Sequence, residues 1–172
     1  MLSDGVLRAP RVLRGGEVFV VSCFSVFVVM WAVACAPAPQ TTNTPAAGSK
    51  LPDSIVKPYL EVQTALAEDR IDDVKSNAGQ IATAATALGA PAMKIDTAAV
   101  QLASATELED AREKFGKLSD AVVAYMDGLK LTPPDGVRKA YCPMAQKPWL
   151  QKGDTLANPY YGSSMLTCGE FQ

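Results

Sequence analysis

Residues 106–134 read TELEDAREKFGKLSDAVVAYMDGLKLTPP. The apolar residues Leu108, Ala111, Phe115, Leu118, Val122, Tyr125 and Leu129 recur at alternating steps of three and four. That spacing lays one continuous stripe along an α-helix. Thr106-x-x-Glu109 has the form of a capping box at its start. Pro133-Pro134 bars any continuation. Phe115, Tyr125 and Met126 are assigned to the core rather than to a ligand set. Glu107, Glu109, Asp110 and Glu113 alternate with Arg112, Lys114 and Lys117. This predicts a solvated face with i,i+4 ion pairs, not a carboxylate metal cage.

Upstream, Ile71, Val74, Ala78, Ile81, Ala85 and Leu88 form a second stripe, stopped by Gly89 and Pro91. A third, Ile55, Tyr59, Val62 and Leu66, begins near Ser54, with Pro58 close enough to the first turn to be tolerated. A shorter fourth covers Ile95, Ala99 and Leu102. Short Gly/Pro/Asp connectors favour antiparallel neighbours. The expected fold is mainly α: a small up-and-down bundle of about four helices over 54–131. After Leu131 the helical period disappears. Prolines, glycines, aromatics and sulfur residues take over. Residues 132–172 are therefore expected to form an irregular, cysteine-containing C-terminal lobe, with room for a hairpin, packed on the bundle's end. Asn158-Pro159 reads as a turn starter within it.

At the other end, residues 18–34 are uncharged and apolar, and Arg8, Arg11 and Arg14 precede them. A basic segment followed by an apolar run is the anatomy of an export signal. The run closes on Ala32-Val33-Ala34-Cys35, which resembles a bacterial lipobox with Ala32 in place of the usual leucine. The expectation is a lipoprotein signal peptide over 1–34, which carries Cys23 away with it. Cys35 is then the lipidated residue, and 35–53 is a Pro/Thr/Ala-rich flexible tether. The competing reading is an uncleaved membrane anchor, for which the run is slightly short. Either reading puts the rest of the chain at the periplasmic face of the cell envelope, membrane-anchored.

Composition narrows the chemistry. The 172-residue chain has a formal charge of −2 and no histidine. Nucleic-acid binding lacks its basic patch. Ser-His-Asp and Cys-His mechanisms lack their base. A Cys-x-x-Cys redox motif is also missing, so the chain is not read as an enzyme. Of four cysteines, Cys142 and Cys168 remain for the mature domain.

These two lie in matched clusters, Cys142-Pro143-Met144 and Met165-Leu166-Thr167-Cys168. One reading is a disulfide, which an oxidising compartment favours. It would close a loop of about 27 residues and contribute about 3–4 kcal/mol in loop-closure terms. The other reading is a soft-metal site in which Cys142, Met144, Met165 and Cys168 bind Cu(I). Trp149, Tyr160 and Tyr161 would wall that site from water. Zn(II) fits poorly, because only two thiolates remain of its usual four ligands. Spacing leaves both readings open.

Tyr141-Cys-Pro-Met-Ala145, Trp149-Leu150, Asn158-Pro-Tyr-Tyr-Gly162 and Met165-Leu-Thr-Cys-Gly169 resemble the C-terminal signature of a bacterial exported family. It is catalogued as domain of unknown function 3347. Tyr59-Leu60, Ala65-Leu66-Ala67 and 111–119 resemble its helical part. The resemblance covers about residues 54–171. It implies an exported protein, often a lipoprotein, from a family whose domain is also fused to adaptor subunits of heavy-metal efflux pumps. The functional expectation is a soft-ion binder, probed first with Cu(I), that buffers the ion or delivers it to efflux. The alternative is a disulfide-stapled interaction module docking on an efflux adaptor or another envelope protein, with no metal.

Overall fold

The computed structural model describes residues 43–172. The expected signal peptide, Cys23 and the lipidated Cys35 lie outside them. Among the described residues no helix is long and apolar enough to cross a membrane.

Four α-helices come first: α1 (Asp53–Ala67), α2 (Val74–Leu88), α3 (Met93–Ala103) and α4 (Leu108–Leu129). Three strands follow: β1 (Val137–Cys142), β2 (Lys147–Lys152) and β3 (Glu170–Phe171). Each helix packs on the next in sequence. With connectors this short, neighbours run antiparallel, as the up-and-down reading expects. Each expected stripe is buried: Phe115, Leu118 and Val122 on α4, Ile81 and Ala85 on α2, Tyr59 and Leu66 on α1, Ile95 and Leu102 on α3.

The C-terminal lobe is more regular than expected. β1 and β2 form an antiparallel hairpin with Cys142 opposite Lys147 and Ala140 opposite Trp149. Residues 143–146 make the loop, and Gln146 takes a left-handed conformation there (φ 54°). β3 pairs with the free edge of β1, giving the order β2-β1-β3. The lobe does not sit on the bundle's end. β2 lies against both α4 and α1, whose backbones stay mostly apart and which meet through side chains such as Tyr59 and Ser119. Gly116 lies at the contact of α4 with β2, where a Cβ would meet the Lys147 stem at 3.5 Å and the Tyr160 ring at 3.6 Å, ordinary van der Waals contact.

Two end signals act differently from their sequence reading. Thr106 does not cap α4; the N-cap is Glu107, in extended conformation and with no side-chain cap bond. The helix stops before Pro133, at Lys130, whose left-handed conformation (φ 54°) turns the chain. The Leu131 N–H then reaches back to the Met126 carbonyl at 2.8 Å, closing the end as a Schellman-type turn.

Packing also begins before the expected tether boundary at residue 53. Leu51 is buried at 1% exposure. Its N–H donates to the Thr132 carbonyl at 2.9 Å, and the Thr132 N–H donates to Ser49 at 3.0 Å. The Thr44 hydroxyl donates to the Leu88 carbonyl at 2.9 Å, satisfying an orphan group at the end of α2.

Candidate functional site

The site is built where β1 ends. Strand alternation turns Ala140 and Cys142 toward the helices, and both are completely buried. The Cys142 sulfur accepts two N–H groups: the Ala145 backbone at 3.4 Å and the Asn158 carboxamide at 3.2 Å. Cys168, at the end of the segment that leads into β3, is half-buried. Both cysteines are free thiols, and one carboxamide, that of Asn158, bonds both the Cys142 sulfur and the Cys168 carbonyl. Burial pushes the Cys168 thiol above its ordinary range, and the neighbouring Cys142 sulfur pushes it further. The fold therefore brings together the two cysteines that the sequence singled out, despite their separation along the chain.

Asn158 organises the pair. It is completely buried. Its Nδ2 donates to the Cys168 carbonyl at 2.7 Å as well as to the Cys142 sulfur. Its Oδ1 accepts the Tyr160 N–H at 2.8 Å. Its own N–H donates to the Leu166 carbonyl at 2.7 Å. Read from sequence, Asn158 was only a turn residue. A polar side chain inside an aromatic-rich segment was the available signal.

The methionines are placed differently. Met144 lies in the hairpin loop and is 64% exposed. Met165 is half-buried and belongs to the turn before Cys168, whose N–H donates to the Met165 carbonyl at 3.0 Å. Among the expected wall residues, Trp149 is fully buried. Its ring presses on Gly169, where a Cβ would come within 2.6 Å of the indole. Gly169 adopts φ 144° there. Tyr160 meets Trp149 edge-on at 6.0 Å and Phe115 at 5.9 Å, and its hydroxyl donates to the Pro148 carbonyl. Burial, above all, raises the Tyr160 phenol far above its ordinary value, with Cys142 among the smaller causes. Tyr161 instead lines a cleft of about 530 Å³ with Glu109, Arg112, Glu113 and Lys147, which neither cysteine lines.

Two nodes are prominent among the polar links that hold the lobe on the bundle, beside Gln63 to the Ala157 carbonyl and Lys147 to Asp120. The Tyr59 hydroxyl accepts the Leu150 N–H at 3.2 Å and pairs with the Ser119 hydroxyl at 2.6 Å, linking α1, α4 and β2. The second corrects the expected face of α4. Lys114 and Lys117 do make the predicted i,i+4 pairs with Asp110 and Glu113. Arg112 is not on a solvated face: its side chain is only 11% exposed. It pairs with Asp69 and donates to the carbonyls of Leu66 at 3.1 Å and Pro159 at 3.3 Å. Asp69 also accepts the Ser163 N–H at 3.2 Å. The Ser163 and Arg112 bonds hold its carboxyl below the ordinary range.

The donor set fits some ions and not others. Among the described residues no group of three or more Cys, His, Asp or Glu side chains is placed to hold a metal, so a four-ligand Zn(II) site is not formed. Two thiols joined through Asn158 do suit a soft ion of low coordination number.

Residues 55–133 match the sequence model of a family described as "Protein of unknown function (DUF3347)". Over that segment the chain is similar to this family. The match ends before β1, so the sulfur-bearing lobe is outside it. Neither a curated protein nor a solved structure matches the chain.

Proposed function

We propose that this protein is a membrane-anchored domain at the periplasmic face that takes up one soft ion, Cu(I), and buffers it or passes it to heavy-metal efflux. Cys142 and Cys168 supply the thiolates. Met165 and Met144 are the flanking thioether candidates. The observation that supports this reading is the Cys142 sulfur, buried, receiving two N–H donors and joined to the Cys168 backbone through Asn158. Cu(I) would supply no redox or Lewis-acid step here; it is the cargo, and the helices are the scaffold that holds the lobe.

A second reading has its own support. Two free thiols joined through one Asn158 carboxamide, one of them inside the core, also suit a structural disulfide in an oxidising compartment. That bond would tie β1 to the C-terminal segment and make the domain a stapled docking module.

The test uses the full chain with Cys23→Ser and Cys35→Ser, so that only the described cysteines remain. After reduction it should compete with a chromogenic Cu(I) chelator at about one ion per chain, in keeping with one soft-ligand cluster. Cys142→Ser and Cys168→Ser should each weaken binding by about tenfold or more, because each removes a thiolate. Met144→Leu and Met165→Leu keep volume nearly constant; a loss of affinity in either adds that thioether to the ligand set. Failure of the reduced protein to compete, together with equal losses of melting temperature in the two Cys variants, sinks the copper reading and supports the staple.

A further inference from the structure

We propose that Cys168 is the entry sulfur for thiol–disulfide exchange with low-molecular-weight disulfides, and that Cys142 is the resolving sulfur. The two thiols are not equivalent. Cys142 is completely buried, and its sulfur is occupied by the Ala145 and Asn158 N–H groups. Cys168 is half-buried and follows a stretch in which Ser163, Ser164, Leu166 and Thr167 are exposed. Exchange needs a thiolate to approach a disulfide sulfur with the leaving thiol directed away from it. Cys168 is the more accessible of the two; burial raises its thiol, so access rather than acidity sets the order of attack. Once it is modified, Cys142 is close at hand, because the Asn158 carboxamide bonds both the Cys142 sulfur and the Cys168 carbonyl.

The reaction balances in two steps. The Cys168 thiolate attacks one sulfur of an RS–SR disulfide; a Cys168–S–SR bond forms, the S–S bond of the reagent breaks, and one RS⁻ departs. Cys142, as thiolate, then attacks the Cys168 sulfur; the Cys142–Cys168 bond forms and a second RS⁻ departs. The two protons lost by the cysteines go to the two departing thiolates. The protein pair is oxidised by two electrons and the reagent is reduced by two. Asn158 keeps Cys142 and the Cys168 backbone together through the sequence. The exchange stands apart from the copper reading. Its consequence, that oxidation withdraws both thiolates and releases the ion, rests on that reading.

The experiment treats the reduced full chain carrying Cys23→Ser and Cys35→Ser with oxidised glutathione, followed by intact-mass and peptide mapping. The protein with both remaining cysteines should end as the Cys142–Cys168 disulfide. Adding Cys142→Ser should trap one glutathione on Cys168. Adding Cys168→Ser should leave Cys142 unmodified, or slower by at least about tenfold, as expected for a buried thiol. Equal or faster labelling of Cys142 in that variant overturns the assignment. A measurement free of folding artefacts uses substoichiometric iodoacetamide on the protein with both cysteines. The first alkylated residue should be Cys168; Cys142 labelled first would overturn the proposal. No copper is present in either assay, so failure here leaves the metal reading standing, and failure of Cu(I) binding leaves the exchange standing.

Discussion

Asn158 uses both ends of its carboxamide inside the lobe: two donations, to the Cys142 sulfur and the Cys168 carbonyl, and one acceptance from the Tyr160 N–H. Asn158→Asp keeps the size and the acceptor but removes both donors. It also sets a carboxylate against a carbonyl and a sulfur. The expected cost is about 1–3 kcal/mol, the penalty for unsatisfied buried polar groups, read as a shift in a urea unfolding midpoint at neutral pH. A loss below about 0.5 kcal/mol, the usual range for an inconsequential surface change, would mean those bonds are not made in solution. At this scale the sequence exposed only part of the site. Cysteine spacing identified Cys142 and Cys168, because thiols are rare and chemically distinctive. It could not show that Met144 points into solvent or that Asn158 joins the pair. Those facts depend on the hairpin loop and on a contact across the lobe.

On α4 the apolar period decided which side is buried, and every stripe residue from Ala111 to Tyr125 is in the core. Phe115 is fully buried, 5.1 Å from the Tyr59 ring. Phe115→Ala should therefore destabilise the domain by about 3–5 kcal/mol. Lys117, whose side chain is 53% exposed and pairs only with Glu113, should change stability by about 0.5 kcal/mol or less when replaced by alanine. Equal shifts in a thermal melt would refute this placement of the helix faces. Legibility failed at the ends. Thr106 and Pro133-Pro134 matched start and stop patterns, but Glu107 and Lys130 occupy the positions where the helix begins and turns away. At the C-terminal end the local Lys130 turn closes the helix before the prolines are reached, and Thr132 then pairs with Ser49 and Leu51. Arg112 escaped the face rule because its partners, Asp69 and the carbonyls of Leu66 and Pro159, come from other segments.

For the molecule as a whole, β2 fills the gap between α1 and α4, and one apolar cluster runs from Leu51 through the helices to Trp149, Leu150 and Tyr160. The family match covers only the helical part of that cluster. A fragment ending at residue 133 would expose Tyr59 and Phe115 and leave Ser119 without its buried setting. It should lose the sharp cooperative melt of the full chain and bind a hydrophobic dye, the behaviour of a compact state without fixed packing. An equally sharp transition in circular dichroism would show the lobe to be an appendage. The helical period could not reveal this dependence, because a strand lodged between helices leaves no mark on the stripe it covers. Trp149 adds something of practical use. It is the one tryptophan among the described residues; its indole rests on Gly169, the neighbour of Cys168, inside a ring-lined core. Light-excited indole readily surrenders an electron to a nearby disulfide or metal centre. The emission of Trp149 thus keeps an optical record of what the two sulfurs are doing, with no label attached, once Trp31 is replaced by phenylalanine.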